Sequence, residues 1–315
     1  MAHERKFRFA AQLSKAPDGT AKGWAEQARK AEDLGYSTLL MPDHFGDQLA
    51  PVPALAAVAA ATTTLRMGSL VFCNDYRHPF VLAKEAATLD VLSDGRLELS
   101  LGAGWMRTDY DEAGLTYDQP SVRVDRLEEA VTVINGLLRT DGPFAFHGEY
   151  YDVRGHTLTP RPVQRPGPPL IIGGGGKRVL SFAAQHADIV SINANLREGT
   201  GGVETATDVT PDRTRRKVAW VKEAAGDRFD DLELNALIGF AIVTDDAEGL
   251  AAQMAPAFGI DPADALHVPV ALAGTLDEMA EELRWRREEY GISYWSIESD
   301  AWETLGPVVS ALAGQ

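Results

Sequence analysis

Short apolar runs alternate with amphipathic segments along almost the whole chain, and few folds accommodate that order. Strand-like runs fall at residues 7–13, 38–41, 66–72, 97–102, 170–173, 189–193, 234–243 and 294–298. Helical periodicity occupies 21–34, 52–61, 80–92, 121–138, 179–186, 211–225, 276–290 and 302–313. The punctuation agrees: Gly35 ends the first helix, Pro79 stands where a first helical turn would begin, and Ser93-Asp94-Gly95 makes a turn. Eight strands, each followed by a helix, is the count of a (β/α)8 TIM barrel. A doubly wound sheet is built from the same alternation. The length of 315 residues and the lack of a composition break between halves favour one barrel domain over 1–315. Insertions are expected at its C-terminal face. Residues 144–153 alternate around His147-Gly148 like a small hairpin, 245–264 carry helical fragments, and the Gly/Thr-rich stretch 197–210 reads as a mobile loop able to act as a lid.

Composition narrows the partners. Apolar residues make up 45% of the chain and the formal charge is −16, which suits a globular core and argues against nucleic acid or anionic membrane as partners. One cysteine, Cys73, leaves no internal disulfide framework and fits a reducing compartment. The start MAHERKFRF has no apolar signal core and no run approaches a membrane span. The expectation is a cytoplasmic protein acting on a small molecule.

The segment LIIGGGGKRVLSFAAQHA (170–187) reads as strand, glycine turn and helix. Glycines let backbone approach a ligand, a helix start offers unpaired N–H groups, and Lys177 and Arg178 add charge. Gly173, Gly174, Gly175 and Gly176 are therefore expected to cradle the phosphate of a cofactor, with Gly175 at positive φ. A tight turn that merely uses glycine is the competing reading. The spacing is not GxGxxG, so a dinucleotide fingerprint is not the explanation.

In a barrel the functional groups lie at strand C-termini. Those positions hold Gln12, then Asp43-His44-Phe45, Phe72-Cys73-Asn74, Ala103-Gly104-Trp105, Gly173 to Gly176, Asn193 to Asn195, and Glu298 with Asp300. The set is rich in imidazole, aromatic and glycine, and no metal-ligand cluster is expected. An imidazole leaving a strand into a loop, as His44 does, is placed to exchange a proton with a bound ring near neutral pH; a structural histidine is the alternative. Asp43 would fix its tautomer only if the two side chains converge. Trp105 reads either as an apolar wall for a flat ligand or as packing under a loop. Cys73 has no adjacent activating partner, so a nucleophilic thiol is not expected.

Three segments, LGYSTLLMPDHFGD (34–47), RHPFVLAKEAATLDVLSDGRLELSLGAGW (77–105) and PPLIIGGGGKRVLSFAAQHADIVSI (168–192), resemble the luciferase-like monooxygenase superfamily. The resemblance implies a TIM barrel binding FMN or the deazaflavin F420 at the strand C-termini. The triplet Asp43-His44-Phe45 is similar to the F420-dependent branch, whose strand-3 end holds a non-proline cis peptide; here it is expected within 72–74. Sugar-phosphate dehydrogenases of that branch place a glutamate where this chain has Trp105, so a glucose-6-phosphate activity is not expected. The resulting reading is an F420-dependent oxidoreductase. His44 and Asp43 act at the reacting centre. Phe72, Cys73, Asn74, Ala103, Gly104, Trp105, Gly173 to Gly176, Lys177 and Arg178 hold the cofactor. Gln12, Phe45, Trp105 and Asn193 line the substrate side. An FMN-dependent two-component monooxygenase and a non-catalytic flavin or deazaflavin carrier are the alternatives. The family implies a homodimer.

Overall fold

The computed structural model describes residues 5–196, 198–201, 203–298 and 301–315. Strands β1 (Arg8–Gln12), β2 (Thr38–Met41), β3 (Arg66–Ser69), β4 (Leu97–Gly102), β5 (Leu170–Gly174), β6 (Ile189–Ile192), β7 (Glu233–Ile238) and β8 (Ile292–Glu298) are all parallel. Their order runs β3-β2-β1-β8-β7-β6-β5-β4, and β3 then pairs with β4, so the sheet closes into a (β/α)8 barrel. A short strand, Phe72–Cys73, continues β3 and pairs with the end of β4.

The outer faces of the staves bury a continuous apolar layer against helices that include α1 (Ala21–Asp33), α2 (Pro51–Ala61), α3 (Pro79–Leu92), α5 (Pro120–Arg139), α6 (Lys177–His186) and α8 (Pro211–Ala225), while the short helices α4 (Arg107–Ala113) and α7 (Val203–Thr207) lie in the segments after β4 and β6. Local chemistry sets their ends. The Thr20 side chain accepts from Gly23 N–H at the start of α1. Thr275 and Glu278 form a reciprocal capping box on helix Leu276–Tyr290, which stops at Gly291 in the left-handed region.

Two expected elements differ. The run 234–243 is not one strand: β7 ends at Ile238, and Phe240–Val243 leaves the barrel to pair with Ala271–Gly274. Gly239 and Phe240 N–H both donate to the Val270 carbonyl (2.9 and 3.1 Å), which draws the chain away. The last helix begins at Gly306 rather than 302 because Pro307 sits in its first turn. Helix α4 went unforeseen. The stretch 197–210 contains α7, while Arg197 and Gly202 lie outside the described residues, as does Asp300.

The barrel interior is apolar in the middle, where Ala10, Leu40, Leu70, Ile171, Ile189 and Tyr294 meet. Its N-terminal end is closed by charge. The fully buried Glu98 carboxylate accepts from Arg8 (2.6 Å), Arg66 (2.7 Å) and the Tyr294 hydroxyl (3.0 Å). Burial alone would push this carboxyl up, but the two guanidiniums outweigh it and hold its pKa below the ordinary 4.5. A group with a lowered folded pKa contributes stability above its unfolded pKa and loses it as pH falls through the folded value. Glu98→Gln is expected to cost about 3–5 kcal/mol near neutral pH, because two partly buried cations lose their counter-charge. Urea midpoints measured against pH should show the gap between parent and variant shrinking below pH 4.5; a constant gap would remove Glu98 from the acid response.

Candidate functional site at the barrel mouth

His44 leaves β2 directly into a loop, as its position predicts, but the acid that orients it is Asp109. Its Nδ1 lies 2.6 Å from Asp109 Oδ2. The same carboxylate accepts from the Tyr76 hydroxyl (2.9 Å) and the Phe45 backbone N–H (3.3 Å) and is 3% exposed. Asp109 comes from α4, so one aspartate ties together the loops after β2, β3 and β4. The His44 ring stands edge-on to Trp105 with centroids 5.6 Å apart, and Phe45 lies against Tyr76 at 4.5 Å. Its Nε2 makes no bond to Asp109 and remains the nitrogen available to a ligand.

Asp43 does not converge on His44. It receives a two-pronged bond from Arg77 (2.7 and 2.9 Å) and the Cys73 backbone N–H (2.9 Å). Its place is structural: it locks the end of β2 to the chain after β3.

The strand-3 end also departs from expectation. The non-proline cis bond is Leu70–Val71, ahead of 72–74. Phe72 is buried in the outer apolar core, with Arg77 stacked on its ring at 5.0 Å. Cys73 faces the Tyr110 hydroxyl (3.6 Å), and burial pushes its thiol up to about 12, so it is no nucleophile. Asn74 is buried and donates to the Tyr151 hydroxyl (3.0 Å). The side chain that reaches the mouth is Val71. A Cβ on Gly102 or Gly173 would stand 2.5 or 2.9 Å from its methyl groups, so both glycines make room for it. Gly104 has φ +78°, and a Cβ there would strike the Tyr110 hydroxyl at 2.0 Å. Ala103 beside it is half-buried.

The glycine turn after β5 is where the sequence places it, for a different reason. None of Gly173 to Gly176 is among the glycines at positive φ. Gly175 is required because a Cβ would lie 2.3 Å from the Ala194 carbonyl carbon. Gly176 is the N-cap of α6 and supplies no side-chain hydrogen bond, which leaves that helix start to backbone N–H donors alone. Lys177 stands 3.6 Å from Glu223. Arg178 points outward to Asp125 (2.6 Å) and Glu128 (2.8 and 2.9 Å), so its charge is compensated there rather than offered to the turn. Asn193 is on this side, not opposite: its N–H donates to Gly174 O (2.9 Å) and its amide to Ser191 Oγ (3.1 Å). The buried Lys217 of α8 fixes the adjoining loop through Asn193 O (2.7 Å) and Asp208 (2.6 Å).

Across the mouth, a cleft of about 450 Å³ opens between the ends of β1, β2 and β8, lined by Gln12, His44, Met106, Asp109 and Glu298 among others. Sequence reasoning named Gln12 and His44 there but missed Asp109, Tyr76 and Val71. Asp109 had one usable signal: it lies four residues beyond Trp105, in the first turn of a segment that ends at Gly114.

The barrel mouth thus brings together a glycine turn with an open helix start after β5 and a carboxylate-held imidazole after β2. The family model described as luciferase-like monooxygenase matches residues 6–303, and the chain belongs to that family. It is similar to an FMNH2-dependent dimethylsulfone monooxygenase of Pseudomonas putida, 30% identical over 143 residues, 45% of this chain and 39% of that protein. It is also similar to an F420-dependent glucose-6-phosphate dehydrogenase of Microbacterium testaceum, 31% identical over 166 residues, 50% of this chain and 48% of that protein. Each match thus spans about half the relative or less. Among solved structures, the coenzyme F420-dependent tetrahydromethanopterin reductase of Methanopyrus kandleri superposes with a TM-score of 0.77 at 19% identity, covering 98% of this chain and 99% of that one. No described helix is long and apolar enough to cross a membrane.

The last two glycines of the turn separate cleanly in a test. Gly175→Ala is expected to lose about 1–3 kcal/mol to overpacking against Ala194. Gly176→Ala, whose Cβ would meet nothing nearer than Asn195 Nδ2 at 3.7 Å, should stay close to the parent. Equal thermal stability of the two variants would refute the close-approach argument.

Proposed function

We propose that the protein is an F420-dependent oxidoreductase moving a hydride between the deazaflavin and a small organic substrate. The observation that carries the reading is the opposition of two devices across one barrel mouth: the uncapped start of α6 after β5, and His44 held by Asp109 after β2. The first supplies backbone donors for a phosphate. The second supplies a proton donor or acceptor whose ring cannot swing away. A bound deazaflavin would bring the carbon that gives or takes the hydride.

The chain's own residues would do the rest. Val71, with Gly102 and Gly173 opened around it, forms the apolar support against which a flat ring could lie. Trp105 bounds the site beside His44. Burial raises the Tyr76 and Tyr110 hydroxyls above the ordinary tyrosine range, so both stay protonated; Tyr76 donates to Asp109. His44 would neutralise the charge that hydride transfer leaves on a neighbouring oxygen or nitrogen. F420-dependent proteins appear among both the sequence relatives and the structural neighbours. The similarity to an FMNH2-dependent monooxygenase supports FMN as the second reading.

Titration by tryptophan fluorescence is expected to show F420 binding at least about tenfold tighter than FMN, a difference of about 1.4 kcal/mol. FMN the tighter ligand by that margin would transfer the assignment to the second reading. His44→Ala is expected to lower turnover about 10²–10⁴-fold while cofactor affinity changes little, because the phosphate site is across the barrel. A variant that folds, binds cofactor and turns over at the parent rate would take His44 out of the chemistry.

A further inference from the structure

We propose that Asn193 accepts the ring imide N–H of a flavin or deazaflavin, through an amide oxygen aimed by a buried hydrogen-bond chain across β6, β7 and β8. This deepens the reading above and rests on it in one respect: the flat ring is taken to lie against Val71.

The chain of bonds starts at a carbonyl. Asn235 of β7 is fully buried, and its amide lies 3.1 Å from the Tyr294 backbone oxygen. A carbonyl only accepts, so the Asn235 nitrogen must face it. The same nitrogen donates to Ser296 Oγ (3.0 Å). Asn235 Oδ1 is left facing Ser191, whose hydroxyl stands 2.7 Å away and has to donate. With its one proton spent, Ser191 Oγ offers only lone pairs to the Asn193 amide at 3.1 Å. The Asn193 nitrogen therefore turns inward, where the Ser191 carbonyl at 3.5 Å calls for a donor as well. Its oxygen faces the other way, and no described residue donates a hydrogen bond to it. Every polarity in the series follows from the Tyr294 carbonyl.

Position says what the oxygen meets. Ile189 belongs to the apolar middle of the barrel interior, so Ser191 and Asn193 point the same way, further toward the mouth. Ile189 and Ser191 are buried, whereas Asn193 is half-buried. Its backbone is held on both sides, by N–H to Gly174 O (2.9 Å) and by Lys217 Nζ on its carbonyl (2.7 Å). A Cβ on Gly173 would lie 2.9 Å from a Val71 methyl and 3.7 Å from Asn193 Nδ2, so the amide stands beside the apolar support. Asn193 does not line the cleft between β1, β2 and β8. A neutral acceptor at the edge of an apolar platform matches a flat heterocycle with an N–H on its rim. The pyrimidinedione shared by flavins and deazaflavins carries that group between its two carbonyls. A ring alkylated there loses the bond and leaves the oxygen without its donor.

Fluorescence titration of the full chain with FMN and with F420, each against its N3-methyl derivative, tests this. Methylation removes the donor and leaves the phosphate of the ligand unchanged. The N–H form is expected to bind at least about tenfold tighter, or about 1.4 kcal/mol, and the pair built on whichever ring binds decides. Asn193→Ala removes the acceptor and makes room for the methyl group, so the two forms should come within about twofold of each other. Ser191→Ala keeps Asn193 but frees its amide to turn, and should cut the preference to about threefold or less. That variant carries the test if Asn193→Ala fails to fold by circular dichroism. Equal binding of methylated and parent rings by the unaltered protein, or a tenfold preference retained by a folded variant, would overturn the proposal. Failure of both FMN and F420 to bind sinks it together with the hydride-transfer reading. Ring binding without the preference sinks it alone and leaves that reading standing.

Discussion

The barrel closes through one seam, and that seam depends on a glycine set against a buried acid. In the pairing of β3 with β4, Gly68 is the register partner of Glu98. A Cβ at Gly68 would stand 2.3 Å from the Glu98 carbonyl oxygen, so the strands can meet only with hydrogen at that position. The Glu98 side chain then gathers Arg8 from β1, Arg66 from β3 and Tyr294 from β8. One carboxylate therefore links four staves, including both sides of the seam. Such a knot adds little stability over an apolar plug. Its directional bonds accept one register only, because a slip of one residue would turn Glu98 out of the barrel and leave two arginines facing an apolar wall.

The mouth repeats that arrangement at the functional end. Asp43 and Asp109 each bind segments from separate strands, through charge-assisted bonds that share no partner. Asp43 fixes the backbone from which His44 projects; Asp109 fixes the ring itself. The division explains why two acids stand near one histidine without competing for it. The Asp43 carboxylate directs its bonds to Arg77 and the Cys73 N–H, and none to the imidazole. The result is an imidazole placed by two independent constraints, one on its backbone and one on its ring.

Much of this was legible in the residue order. Alternating apolar runs and helices located all eight staves, since strand and helix periods differ and length leaves few closures. The glycine turn after β5 and the imidazole after β2 were legible because strand-to-loop transitions mark barrel mouths. The misses share a cause: they depend on which side chains meet across the barrel. Asp43 was assigned to His44 by adjacency, yet adjacent residues at a strand end point in opposite directions. Phe72 follows an interrupted strand, and the break at 70–71 carried Val71, not Phe72, to the mouth. Arg178 read as a phosphate cation until Asp125 and Glu128, some fifty residues earlier, proved to stand opposite it. Helix α4 was hidden because seven residues with few apolar positions leave no periodic trace.

The charge layout of the mouth follows from the same geometry. The chain carries −16, so its long-range field repels any anionic ligand, and the two cations nearest the glycine turn are both drawn toward acids. Any affinity for a phosphate at that turn would have to come from contact, through N–H groups at the start of α6 that cost nothing to reorganise and act only within hydrogen-bond reach. Across the barrel the lining of the cleft around Gln12 carries carboxylates and no cation among its described residues.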